Sequence, residues 1–186
     1  TGDPAGAARA LRGTDSQLDQ LLQRKPPEFE ARVIETDPPA FLAAARGERA
    51  DWDAILAGYA AAVDWPASAF YAELAERHPE AIVVMSRRDS FETWWRSCND
   101  TIFTGMDTAE FATEEWREMI AAVWEKTFGD AQRTDRDAVE AAYHRYHERV
   151  RETVPAKRLV EFTTGAGWGP LCEALDLPVP REPFPY

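Results

Sequence analysis

Apolar residues fall along this chain in two patterns: short unbroken runs closed by charge or proline, and longer stretches where they recur every three or four positions. The first pattern predicts strands over residues 31–36, 61–65, 81–85 and 158–162. The run Ala81-Ile82-Val83-Val84-Met85 is the clearest of them. It is rich in β-branched residues, too short for a helix, and reads as a strand buried on both faces. The second pattern predicts a helical segment over 1–25, broken at Gly13, capped by Thr14 or Asp15 before Leu18, Leu21 and Leu22, and closed by Pro26-Pro27. Further helices are expected over 41–45, after the cap residue Asp51, over 67–77, over 111–128, over 135–153 and over 171–175. In the helix over 135–153, Val139, Tyr143, Tyr146 and Val150 are spaced by four, three and four, leaving Glu140, His144, His147 and Arg151 on a solvated face. Trp116, Ile120, Val123, Trp124 and Phe128 read as core rather than as a ligand-stacking box. A proline-rich, extended tail over 177–186 closes the chain. Strands alternating with helices predict an α/β fold, a mainly parallel sheet flanked by helices, formed by residues 1–186 as one domain.

The chain has 186 residues, 45% of them apolar and 11% aromatic, which is the composition of a folded core and not of a disordered chain. Its net charge of −12 argues against nucleic acid or an anionic membrane surface as partner, because both reward a basic face. Any anionic ligand must be held by a local cluster such as Arg87, Arg88 and Arg96. No apolar run approaches the roughly 18 residues of a membrane span, and residues 1–10 do not resemble a signal peptide. Cys98 and Cys172 lack metal-type spacing and read as reduced thiols of a cytoplasmic protein. His144 and His147 lie on one helical face with Glu140 and Glu148 nearby, but with no third clear ligand they predict no metal site. No nucleophile elbow, zinc-protease motif or dinucleotide fingerprint occurs.

The chemistry concentrates in residues 81–103. A buried strand ends at Arg87-Arg88; Asp89 or Ser90 can then cap a helix, with Glu92 as capping-box partner and Phe91, Trp94, Trp95 and Cys98 as its apolar stripe. Strand, cation and helix N-terminus in that order build an anion site, since the crevice of an open parallel sheet lies beyond the carboxyl ends of its strands. Ser97 follows Thr93 by one turn on the same face.

Residues 88–97 resemble the 3′-phosphate motif of sulfotransferases that use 3′-phosphoadenosine 5′-phosphosulfate (PAPS), a family with a P-loop-NTPase-like fold. The bacterial small-molecule branch carries phrases similar to Val63-Asp64-Trp65-Pro66, Trp94-Trp95-Arg96-Ser97, Thr101-Ile102-Phe103, Thr127-Phe128-Gly129, Glu148-Arg149-Val150, Val154-Pro155 and Gly167-Trp168-Gly169-Pro170-Leu171-Cys172, in this order, and an ending like Pro178-Val179-Pro180 followed by Glu182-Pro183-Phe184-Pro185.

The resemblance implies transfer of a sulfuryl group from PAPS to a hydroxyl or amine of a small molecule, with no metal. It implies that Arg88 binds the 3′-phosphate, that Ser97 assists, and that the turn holding Gly165 and Gly167 closes over that phosphate. The family places its serine eight residues after the arginine; here Arg96 is the eighth and Ser97 the ninth, so Ser97 keeps the role only if the helix starts a residue later. Asp64 falls where relatives carry the base that takes the acceptor's proton. That role requires either desolvation of the carboxylate or an acidic, phenolic acceptor. The competing expectation is that Asp64 caps a helix starting near Pro66.

The family's opening strand and glycine-rich phosphate loop are not recognisable around residues 1–3 or 13–16, where Arg9 and Arg12 are the nearby cations. We therefore expect either that native residues precede Thr1 or that the sheet is rebuilt. The alternative to an enzyme is a relative that keeps the fold without the donor site, serving as a binding or scaffolding module or for other chemistry on a bound metabolite.

Overall fold

The computed structural model describes residues 37–59, 61–108 and 112–184, leaving out the side chains of 107 and 108. The expected helix over 1–25, the strand over 31–36 and the segments at 1–3 and 13–16 lie outside the described residues. Helix α1 (Pro38–Ala45) starts where the Asp37 carboxylate accepts the Ala40 N–H at 3.2 Å, and α2 (Trp52–Ile55) where Asp51 accepts the Ala54 N–H at 3.2 Å. Both caps satisfy an amide that the first helical turn leaves unpaired. After an irregular stretch, a 3₁₀ turn (Ala67–Phe70) runs into α3 (Tyr71–Arg77).

Strand β1 (Val83–Arg87) follows, then α4 (Phe91–Ser97), a π-helical turn (Cys98–Phe103) and α5 (Thr104–Thr108). The two long helices are α6 (Glu114–Phe128) and α7 (Arg136–Thr153), capped by Thr113 and Asp135. A 3₁₀ turn (Ala156–Arg158) leads to β2 (Leu159–Thr163) and then α8 (Gly169–Ala174). β1 and β2 pair in parallel, Val83 opposite Leu159 through to Arg87 opposite Thr163. The connection between them runs through α4 to α7, as parallel strands require, and the architecture is α/β.

Three apolar clusters hold the body together. Phe41 of α1, Phe70 of the 3₁₀ turn, and Met119 and Val123 of α6 form one. Phe91 of α4, Phe128 of α6, and Val139 and Tyr143 of α7 form the second, with Trp65, Trp94, Trp95 and Trp124 packed around it. The third lies under the sheet, where Met85 of β1 meets Val150 and Val154. The expected core face of α7 is thus the observed one, and the aromatic residues of α6 are core, with the Trp124 indole N–H donating to the Ala131 carbonyl at 2.7 Å.

Three expectations need correction. Residues 61–65 form no strand, because Asp64 takes a left-handed backbone, φ 60°, that breaks the extended run. β1 begins at Val83 rather than Ala81 and is covered on one face: Met85 is buried while Val84 is 42% exposed, since the covering layer packs on the Met85 face. His147 is buried, not solvated; its ring packs on Tyr143, and its Nδ1–H donates to the Tyr143 carbonyl at 2.8 Å.

Candidate functional site

Parallel pairing puts the carboxyl ends of β1 and β2 at the same edge, and the chain stitches the two exits together. The Thr164 N–H donates to the Arg87 carbonyl at 3.0 Å, extending the ladder one step past β2. Arg88 therefore leaves the sheet beside the turn that contains Gly165 and Gly167. In that turn the Ala166 N–H donates to the Thr163 carbonyl at 3.0 Å, and Gly165 and Gly167 have φ of +94° and +78°. A Cβ at either position would meet nothing within 4 Å, so backbone conformation, not crowding, calls for glycine.

The two adjacent arginines have different partners. Arg87 Nε lies 3.8 Å from Glu161 Oε2, and Glu161 also accepts two bonds from Arg151, at 2.7 and 2.8 Å. The Arg151 guanidinium is the main reason the Glu161 carboxyl lies below its ordinary range. Arg88 is exposed and makes no ion pair or side-chain hydrogen bond with the described residues, leaving its five donors available to a ligand.

Ser90, not Asp89, caps α4: its Oγ accepts the Thr93 N–H at 3.1 Å and lies 3.0 Å from the Thr93 hydroxyl. The Thr93 side chain also holds the Asp89 carboxyl below its ordinary range. With Ser90 as the cap, Ser97 is the last residue of the helix. Thr93 and Ser97 are both half-buried, one turn apart, while Arg96 is exposed.

Asp64 sits on its left-handed turn with an exposed carboxylate, whose Oδ1 accepts the N–H of Trp65 at 2.7 Å. It caps no helix: the 3₁₀ turn after Pro66 has no side-chain cap, and the Ser68 N–H is taken by the Asp64 carbonyl at 2.8 Å. Asp64 and Arg88 converge on one buried group. Burial pushes the Cys98 thiol up to about 12, with the charge of Arg88 pulling it down and that of Asp64 pushing it up. Burial, the larger influence, keeps Cys98 as a thiol rather than a thiolate.

The structure therefore gathers Arg88, Gly165 and Gly167 at one sheet edge, with Ser97 on the helix that leaves that edge; Asp64 shares with Arg88 an electrostatic influence on Cys98. His144 is exposed, and burial lowers the proton affinity of His147. The pairing of Glu161 with Arg151 and Arg87 was not foreseen from the sequence. Its one signal there is a carboxylate inside the otherwise apolar run of β2, opposite Met85 next to the strand-ending arginines.

A model of the sulfotransferase domain family matches residues 13–186. The chain is also similar to Ava biosynthesis cluster protein M of Aspergillus versicolor, 32% identical over 149 residues, an alignment covering 73% of this chain and 56% of that protein. The chain thus spans little more than half the length of that relative.

Proposed function

This chain belongs to the sulfotransferase domain family, and on that premise we propose that it transfers a sulfuryl group from PAPS to a hydroxyl or amine of a small molecule in the cytoplasm. The observation that supports this most is Arg88, without an ion pair or side-chain hydrogen bond among the described residues, at the carboxyl end of β1, beside a glycine turn and two residues before the helix cap Ser90. In this reading Arg88 takes the 3′-phosphate in charge-assisted bonds, Ser97 donates its hydroxyl, and the turn at Gly165 and Gly167 brings backbone close to the same phosphate.

The reaction is an in-line displacement. The acceptor oxygen or nitrogen attacks sulfur, the bond from sulfur to the 5′-phosphate oxygen breaks, and adenosine 3′,5′-bisphosphate leaves. Asp64 receives the proton of the acceptor. Its carboxylate is exposed to solvent, and the acceptor that suits an exposed carboxylate is an acidic hydroxyl such as a phenol. The net charge of −12 sets nucleic acid and anionic membrane surfaces aside as partners, and no described helix is long and apolar enough to cross a membrane.

Incubation with PAPS and a panel of phenols, aliphatic alcohols and amines tests this reading, with sulfated product followed by mass spectrometry. Product from phenols ahead of aliphatic alcohols is expected. No sulfated product from any acceptor, with PAPS left intact, would remove the transferase reading and favour a binding module.

A further inference from the structure

The glycine turn is fastened on its far side by the end of the chain. Past α8 the backbone doubles back, with the Leu177 N–H donating to the Cys172 carbonyl at 2.9 Å. The Trp168 indole N–H then donates to the Glu182 carbonyl at 2.9 Å. Phe184 sets its ring edge-on to Trp168, centroids 4.7 Å apart, and lies 5.7 Å from Phe162, which is buried in β2. Phe162 and Trp168 flank the segment 163–167, one on the strand that enters the turn and the other on the residue that leaves it. One side chain of the tail therefore spans both ends of the turn, in addition to the backbone bond that ties Thr164 to Arg87.

We propose that the C-terminal tail, through Phe184 and the Glu182 carbonyl, is a clamp that holds the turn at Gly165 and Gly167 in the conformation that receives the nucleotide. The nucleotide half of this statement rests on the donor site proposed above. The physical need is specific to this turn. Glycines lose more conformational freedom on ordering than other residues, so a turn carrying two of them gains more from contacts that hold it than an ordinary turn does. Tail contacts made in advance move that ordering cost out of the binding step, which raises the fraction of molecules competent to bind. Phe184 and Trp168 are positioning residues: Phe184 contacts both residues that flank the turn, and Trp168 is one of them.

Amide hydrogen exchange over residues 164–167 and calorimetry with adenosine 3′,5′-bisphosphate test the clamp together, in wild type, Phe184→Ala, Phe184→Tyr and Trp168→Phe. Losing the ring contact in Phe184→Ala should speed exchange in the turn about two- to tenfold and weaken bisphosphate binding by up to the same factor. Phe184→Tyr should restore both values, Trp168→Phe should show a smaller effect from the missing indole donor, and the melting midpoint should stay close to wild type in each. Unchanged exchange in Phe184→Ala overturns the clamp. Faster exchange with unchanged bisphosphate affinity overturns its positioning role. Failure of wild type to bind bisphosphate while Phe184→Ala still speeds exchange leaves the clamp standing and sinks the donor-site reading instead.

Discussion

The charges of Arg88 and Asp64 both act on the Cys98 thiol, with opposite sign, and the chain holds the two residues by different means. On the Arg88 side every participant hangs from a regular element: the end of β1, the capped start of α4, and a turn stitched to β1 by a backbone bond of 3.0 Å. On the Asp64 side one left-handed residue is fixed by its own carboxylate, bonded at 2.7 Å to the next amide. The difference separates two ways of placing a charge. A cation at a strand end has its position set by the ladder and its backbone at no conformational cost, whereas a non-glycine residue at positive φ persists only where its surroundings over-determine it. Such strain is expected where a side chain must be aimed, and here it aims a carboxylate that no described residue uses as a helix cap.

The sharpest way to break this comparison is Asp64→Asn. Asparagine tolerates the left-handed backbone and keeps an acceptor for the Trp65 N–H, so the melting midpoint should scarcely move. Sulfation of a phenol should nevertheless fall by about 100-fold or more, the usual size of an acid–base contribution. Near-normal turnover would pass the base to the exposed His144. The Arg88 side answers to Gly165→Ala, because φ of +94° is closed to alanine whatever the space around it. That change should lower the unfolding free energy by about 1–3 kcal/mol in a denaturant titration. An unmoved midpoint would mean that the turn relaxes into another conformation and that its tie to Arg87 is dispensable.

Ser97→Ala is expected to act more mildly. Loss of one neutral hydrogen bond, about 0.5–1.5 kcal/mol, should weaken bisphosphate binding roughly two- to twelvefold in calorimetry. No change at all would hand the helix contact to Thr93.

The smallest effect concerns the polar support under the Arg88 side. Burial lowers the pKa of His147 from its ordinary 6.5, so the folded state resists a proton that the unfolded chain accepts. Its contribution to stability is complete above pH 6.5 and declines as the pH falls below that value, by at most about 1.4 kcal/mol per pH unit. The lowered pKa of Glu161 adds a second loss only below its ordinary 4.5. Denaturant titrations from about pH 7.5 to 5 should show wild type losing stability and His147→Gln losing less; parallel curves would remove His147 as the cause.

The same contrast explains what could be read from the chain. The Arg88 side was legible because periodicity, caps and strand ends are local, as in the run ending at Met85, the Ser90 cap and the four-three-four spacing of Val139, Tyr143, Tyr146 and Val150. His147 was misjudged because a histidine counts as polar in the helical pattern, whereas its ring packs on Tyr143 and its Nδ1–H is satisfied by the carbonyl one turn back, so that it can be buried. The strand expected over 61–65 failed on one backbone angle at Asp64, which no side-chain pattern announces. The unbroken apolar run of β1 implies two-faced burial, but a covering layer packs on the Met85 face while Val84 is exposed, which the run alone does not reveal.

Calorimetry with adenosine 3′,5′-bisphosphate on wild type and Arg88→Ala tests the central claim most directly, because Arg88 has no ion pair or side-chain hydrogen bond with the described residues to lose. Wild type should bind, and Arg88→Ala should bind about 10- to 150-fold more weakly, the equivalent of roughly 1.5–3 kcal/mol for a charge-assisted contact. Equal dissociation constants in the two proteins would contradict the assignment of Arg88 to the 3′-phosphate.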